Sequence, residues 1–311
     1  MAQGIVYKST GSWYTLKDEQ GKWLNARIKG VFKLGGLTST NPIAVGDVVE
    51  YDTEDVAEGS VMIHTIHDRR NYINRQSPRI KSQQHIVASN VDQSLLIATL
   101  RDPRTSQGFI DRFLVACEMY HVPASVIFNK SDLYREKELA QYELLREMYE
   151  RVGYTVHLLS VRDGQGIEAV RESLRDKTTL VSGHSGVGKS SFTNAIIPDK
   201  NIRTQDISGW SGKGQHTTTF AEMYDLPFGG RLIDTPGMKE FGLVGVEKSE
   251  LSGYFPEMRA RLNDCQFNDC LHVNEPGCAV KQAVIDGEVS EDRYVSYYNI
   301  LESIGEDTRR R

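Results

Sequence analysis

The stretch that most restricts what this chain can fold into is GHSGVGKSS, residues 183–191. It follows the apolar, β-branched run TTLVS and leads into SSFTNAII, which has helical spacing. A glycine-rich turn between a buried strand and a helix aims backbone N–H groups inward. The helix N-terminus adds a partial positive charge, so the turn is suited to an anion. The match to G-x-x-x-x-G-K-[ST] in a strand–turn–helix setting makes Gly183, His184, Ser185, Gly186, Val187, Gly188, Lys189, Ser190 and Ser191 a candidate phosphate cradle. Lys189 is placed to reach the β and γ phosphates of a nucleotide, and the Ser190 hydroxyl to ligate Mg²⁺.

The surroundings support a parallel sheet. From about residue 92, the apolar runs SLLIATL, SVIFN, TVHLLS, TTLVSG and RLIDT alternate with helical patterns near 109–121, 136–152, 166–176 and 188–197. Buried strands alternating with helices predict an α/β architecture with both sheet faces covered.

The choice of base rests on NKSD, residues 129–132, at the end of the run SVIF. The Asp132 carboxylate can accept hydrogens from guanine N1 and N2 together, a pattern that adenine does not offer. Asn129 is expected to hold the base edge and the neighbouring loop, and the Lys130 stem to cover the ring. Ser131 completes the motif. One strand–helix unit later comes LLSVRDGQGI, where Ser160 and Val161 fit the loop whose backbone reads the guanine oxygen. DTPG at 234–237 follows the run GRLI; Asp234 is expected to hold Mg²⁺ through water, and the Gly237 N–H to sense the γ-phosphate. Between the cradle and DTPG lies SGWSGKGQHTTTF, residues 208–220, polar and glycine-rich as a switch segment would be. One hydroxyl of Thr217, Thr218 or Thr219 is expected on Mg²⁺. The spacing does not select among them, and Thr218 is carried as the candidate.

These elements run in the order base reader, sugar-side loop, phosphate loop, switch I, switch II. That order is a circular permutation of the usual one, which begins with the phosphate loop. A site assembled by adjacency in space tolerates such rejoining where termini lie close together. Switch II then leads directly into the C-terminal segment, so the phosphate state can act on whatever that segment binds. The residue after D-x-x-G is Met238, which offers no useful hydrogen bond to an attacking water. His216 is the best local substitute, although it reads equally as an exposed loop residue. Lys189, Gly237 and His216 make up the expected catalytic set.

The chain has 311 residues, enough for two or three domains. A net charge of −5 gives no global basic field, so contact with RNA would have to come from local patches. No run of about 18 apolar residues occurs and the N-terminus lacks an apolar signal core, which predicts a soluble, cytoplasmic protein without a membrane segment. Nothing demands more than a monomer. Residues 1–67 carry short alternating runs between turns, the pattern of a small β-barrel of OB type. Such a barrel either presents a strand face to RNA or docks on its own enzyme or another protein, and composition does not separate the two. Residues 69–91 hold five Lys/Arg and no acid, fitting either a basic arm along phosphates or a solvated linker.

Three of the four cysteines, Cys265, Cys270 and Cys278, lie within fourteen residues, with His272 among them. Three thiolates and an imidazole form a closed tetrahedral set, the pattern of one structural Zn²⁺; buried thiols without metal, or an iron–sulfur cluster, fit less well. Cys117, in the helical run FIDRFLVACEMY, reads as a buried small hydrophobe.

With the barrel, NKSD, GHSGVGKSS, GQHTTT, DTPG and the cysteine cluster in this order over essentially the whole chain, the sequence resembles the RsgA (YjeQ/YloQ) family of circularly permuted GTPases. The resemblance implies an OB-fold barrel at 1–67, a permuted P-loop GTPase domain at 68–245 and a helical zinc-binding domain at 246–311. It supports the spacing C-x₄-C-x-H-x₅-C as a zinc site and a catalytic histidine at 216. It also implies hydrolysis of GTP to GDP in late maturation of the 30S ribosomal subunit, with 16S rRNA as a contact and the particle as stimulant. Two other classes are kept: an RNA-binding checkpoint protein whose hydrolysis is incidental, and a P-loop kinase, against which NKSD and DTPG speak.

Overall fold

The computed structural model describes residues 2–11, 13–28, 42–52, 60–76, 84–198, 221–235, 243 and 245–306. The first five strands are β1 (Ala2–Ser9), β2 (Tyr14–Asp18), β3 (Trp23–Ile28), β4 (Val48–Asp52) and β5 (Ser60–Ile66). They pair in the order β1-β2-β3-β5-β4 and back to β1, with β3 and β5 parallel and the other pairs antiparallel. Closure removes the free strand edges. Alternation along each strand sends Val6, Tyr14, Leu16, Ala26, Val49, Tyr51 and Ile63 into one core. This is the barrel expected from the short alternating runs.

The first two residues of the basic stretch that follows have internal partners. Arg69 forks onto the fully buried Asp47, with Nε 2.7 Å from Oδ1 and Nη2 2.6 Å from Oδ2. Arg70 bonds Asp92 and the Asn90 carbonyl. Two antiparallel strands, β6 (Tyr72–Gln76) and β7 (Gln84–Ser89), come next. Two of the five basic side chains, Arg69 and Arg70, are thus paired with acids; Arg79, Lys81 and the side chain of Arg75 lie outside the described residues.

The second sheet region holds β8 (Gln93–Ala98), β9 (Ala124–Phe128), β10 (Thr155–Leu158), β11 (Thr178–Ser182), β12 (Glu222–Asp225) and β13 (Arg231–Asp234). Its order is β10-β9-β8-β11-β13-β12, with β12 antiparallel and the rest parallel. Helices α1 (Gln107–Met119), α2 (Glu136–Arg151), α3 (Ile167–Leu174) and α4 (Lys189–Ile196) cover it. Successive residues of β8 show the two faces. Leu96 and Ala98 pack with Phe113 of α1 and Tyr149 of α2, while Leu95 and Ile97 pack with Val170 of α3 and Phe192 of α4. One register pair, Lys8 with Glu222, joins the barrel to β12, supported by Tyr7 Oη donating to Asp225 at 2.6 Å.

The C-terminal helices are α5 (Pro256–Arg259), α6 (Ala279–Ile285) and α7 (Glu291–Glu306). Their core of Leu251, Phe255, Met258, Val280, Tyr297 and Leu301 takes in Val115 from α1. The fully buried Arg293 of α7 bonds Asp111 of α1 at 2.7 Å and Glu257 of α5 at 2.7 Å. Removing one member of such a buried set leaves an uncompensated charge, at about 3–5 kcal/mol. Shared packing and this ion triad fix the C-terminal module to α1. Most of switch II itself, residues 236–242 and 244, lies outside the described residues.

Candidate functional site

The candidate phosphate loop is the link between β11 and α4. Gly186 and Gly188 take φ of 84° and 96°, conformations that a side chain would strain. A Cβ on Gly188 would also stand 2.5 Å from Asn129 Nδ2, so glycine permits the two loops to touch. Lys189 Nζ donates to the carbonyls of Gly183 at 2.6 Å and His184 at 2.9 Å, which holds the ammonium across the loop. Burial lowers the Lys189 pKa, and Asp234 opposes that shift. Asp234 ends β13 in register with Val181 of β11. Burial pushes its carboxyl up to about 6, with Lys189 pulling it down. Ser190 and Ser191 sit half-buried in the first turn of α4.

The residues expected to read the base reach the same place from β9. Asn129 Nδ2 donates to the Val187 carbonyl at 2.9 Å, and Asn129 Oδ1 accepts from the Val161 N–H at 3.4 Å. One buried side chain thus ties together the end of β9, the phosphate loop and the loop after β10. Tyr134 Oη donates to the Asn129 carbonyl at 2.8 Å and holds its backbone. Lys130 adopts the left-handed conformation, φ 64°, and its Nζ donates to the Asp102 carbonyl at 2.5 Å. The Ser160 hydroxyl donates to Asp132 Oδ1 at 2.9 Å, and the Arg162 guanidinium lies 3.8 Å from Oδ2. Ser131 bonds Gln165 at 2.9 Å.

The structure therefore brings Asn129, Lys130, Ser131, Asp132, Ser160, Val161, the whole of 183–191 and Asp234 around one end of the parallel sheet. The reason is strand order: β8 separates β9 from β11, and all three point the same way. His216, Thr217, Thr218, Thr219, Gly237 and Met238 lie outside the described residues. Sequence reasoning missed the loop after β8, where Asp102 meets Lys130 and the Thr105 hydroxyl lies 2.7 Å from His184 Nε2. Its residues, TLRDPRTS, carry the composition of an ordinary turn, so nothing in their type pointed to the site.

A second cluster lies in the C-terminal module. One ligand atom from each of Cys265, Cys270, His272 and Cys278 falls within 4.8 Å of the others. His272 Nδ1 is 3.7 Å from Cys265 Sγ and 3.4 Å from Cys278 Sγ. Tetrahedral zinc with S and N ligands has ligand–ligand edges of about 3.5–3.8 Å, so these two contacts are close to those of such an ion and the set could hold one. Burial pushes the Cys270 thiol up to about 12. Thiolates there need a cation beside them, so metal uptake releases protons. The Tyr294 and Tyr297 hydroxyls hold the His272 and Leu271 carbonyls at 2.6 and 2.7 Å. Both tyrosines come from α7, so the cluster and the Arg293 triad share one helix. Among the described residues, no helix is long and apolar enough to cross a membrane.

Residues 66–244 match the family model described as RsgA GTPase, and residues 3–61 that of the RsgA N-terminal domain. The small ribosomal subunit biogenesis GTPase RsgA of Flavobacterium psychrophilum is 50% identical, over 98% of this chain and 94% of its own. That of Christiangramia forsetii is 48% identical over 96% of each. The crystal structure of YjeQ from Thermotoga maritima has a TM-score of 0.79 at 35% identity, covering 98% of this chain and 99% of that one. The crystal structure of YloQ, a circularly permuted GTPase, has a TM-score of 0.73 at 31% identity, covering 98% and 95%. With a permuted order of nucleotide loops on one parallel sheet, a closed barrel before it and a Cys₃His module after it, the chain belongs to the RsgA family of circularly permuted, GTP-hydrolysing enzymes.

Proposed function

We propose that this GTPase acts in late maturation of the small ribosomal subunit, binds that particle through 16S rRNA, and turns over GTP faster when bound to it. The observation that carries the nucleotide part is the Asn129 bridge, which makes base reader and phosphate loop one site. In this reading Asp132 accepts from guanine N1 and N2, Lys130 covers the ring, and Ser160 with the Val161 backbone bounds the base. The 183–191 loop and Lys189 take the phosphates. Ser190, Thr218 and, through water, Asp234 would hold Mg²⁺, whose charge would offset that of the phosphates. The Gly237 N–H senses the γ-phosphate and His216 orients the attacking water, a task that Met238 does not perform. Ordering of that switch by the particle is worth roughly 10³-fold, the scale of an added catalytic group.

The domains are 1–67 for rRNA contact, 68–245 for GTP and 246–311 for one structural Zn²⁺ held by Cys265, Cys270, His272 and Cys278. The protein works as a cytoplasmic monomer. Support for RNA contact comes from the outer face of β2 and β3. Trp13 stacks on the Arg27 guanidinium at 3.8 Å and Thr15 faces Asn25, while Lys17, opposite Trp23, is held by Asp225 of β12. The two indoles are 42% and 53% exposed. Exposed aromatics interleaved with cations suit stacking on unpaired bases beside phosphates.

The test is GTP turnover by purified protein with 30S or 50S subunits, at low and high salt. Stimulation by 30S, lost with salt and lost in His216→Ala, is expected. Equal stimulation by 50S would remove the ribosomal assignment. A His216→Ala variant stimulated like the parent would remove the role of His216. A hydrolysis-dead variant that still completed the particle would make turnover incidental.

A further inference from the structure

We propose that Thr105 is a positioning residue for GTP hydrolysis, acting on the phosphate loop through His184; the proposal rests on the reading of 183–191 as that loop. Thr105 precedes the N-cap of α1, Ser106, and lies in the turn that leaves β8. Its hydroxyl oxygen accepts the Thr99 N–H at 3.0 Å. With that acceptor role fixed, the hydroxyl proton is available for His184 Nε2 at 2.7 Å. An imidazole that accepts at Nε2 and is neutral carries its proton on Nδ1. His184 Nδ1 lies 3.1 Å from the Ser185 carbonyl and donates to it. Burial, with Lys189 and Lys130 nearby, favours this neutral form. The edge of His184 also meets Phe109 of α1, with ring centroids 5.6 Å apart.

The consequence lies in one peptide plane. A planar trans peptide directs its C=O and N–H to opposite sides. Holding the Ser185 carbonyl against the imidazole therefore turns the Gly186 N–H away from it. The carbonyls of Gly183 and His184 are meanwhile committed to Lys189 Nζ. The chain Thr99, Thr105, His184, Ser185 thus sets which side of the loop presents Gly186 N–H. Preset donors of this kind count most where charge develops in the transition state. The same turn gives the Asp102 carbonyl to Lys130, so one loop braces both the phosphate side and the base side. Thr105 is nearly fully buried and nothing else in the nucleotide chemistry uses it.

The experiment compares Thr105→Val, Thr105→Ser, His184→Ala and the Thr105→Val/His184→Ala double variant with the parent and Lys189→Ala. Steady-state kcat and KM for GTP, GTP affinity and thermal midpoints are measured. We expect Thr105→Val to lower kcat/KM by about tenfold, the scale of one lost hydrogen bond, mainly in kcat. Thr105→Ser, which keeps the hydroxyl, should restore the parent rate. In the double-variant cycle the two losses should not add, since both remove the same link. Parent-like kinetics in Thr105→Val, no rescue by Thr105→Ser, or additive losses would overturn the pair while Lys189→Ala remains inactive. Full turnover in Lys189→Ala would overturn the phosphate-loop reading and the positioning role with it.

Discussion

The nucleotide site and the Cys/His cluster solve the same problem, gathering ligand atoms, in opposite ways. The first draws on residues from Asn129 to Asp234, over 100 positions apart, yet its loops already clasp one another. Asn129 bonds Val187 and Val161, and Ser160 bonds Asp132, before any nucleotide is considered. The second spans only Cys265 to Cys278. There the four ligands approach one another, with the Cys270 thiol pushed up by burial and an imidazole that faces sulfur. One site is preorganised by strand order and side-chain-to-backbone bonds. The other is a local loop that leans on the C-terminal core and on α7, with ligands that would be drawn together by an ion. The nucleotide should therefore be removable without loss of fold, whereas the metal should not.

Stripping the metal gives the largest expected effect. Chelation, or Cys270→Ser, should release on the order of 10 kcal/mol of binding free energy, the scale of structural zinc sites. Hydrogen exchange should then accelerate through α5, α6 and the start of α7, while β8, β9 and β11 keep their protection. Uniform exchange across both regions would erase the contrast. An intermediate effect is expected for Asn129→Ala, which removes two bonds between loops and leaves buried backbone groups without partners. At about 1–3 kcal/mol, GTP and GDP should both bind roughly ten- to a hundredfold more weakly, with little change in melting temperature. A large fall in stability instead would make Asn129 a folding residue and blur the difference between the regions.

The smallest effect concerns pH. Burial raises the Asp234 carboxyl to about 6 in the nucleotide-free protein, against an ordinary value near 3.8. A carboxyl raised in the fold favours its neutral form, so this group makes the free protein less stable as pH rises from about 4 to about 6, with no further change above. Holding Mg²⁺ through water needs the charged form, so Mg²⁺-dependent GTP affinity should climb over the same window and level off. Asp234→Asn should flatten that profile; an unchanged profile would assign the titration elsewhere.

Much of this was legible in the residues, for reasons that differ between the two regions. The cluster could be read from residue type and closeness, three cysteines and a histidine within fourteen residues, and its spacing as a zinc site from the family resemblance. The phosphate loop and NKSD were legible because each follows a buried strand, and parallel order puts strand ends side by side. Illegible was whatever depends on which loops lie over those ends. Thr105 and Asp102 look like turn residues and join the site only because β8 runs between β9 and β11. Arg69 and Arg70 read as part of a basic arm or a solvated linker because their partners, Asp47 and Asp92, are identified by folding rather than by sequence distance. The docking of α7 on α1 was hidden for the same reason. Arg293 and Asp111 are 182 residues apart, and neither breaks the pattern of its own helix.

The central claim is that one guanosine triphosphate is read at Asp132 and held at Lys189 within a single pocket. Titration of the parent and of Asp132→Asn with guanosine, adenosine and xanthosine triphosphates tests it most directly. The parent should bind the guanine nucleotide far more tightly than the other two. The variant, whose amide can donate to the xanthine C2 oxygen, should lose the guanine nucleotide and gain the xanthine one, while Lys189→Ala weakens both. Equal binding of adenine and guanine nucleotides by the parent, or a variant with unchanged preference, would contradict the claim.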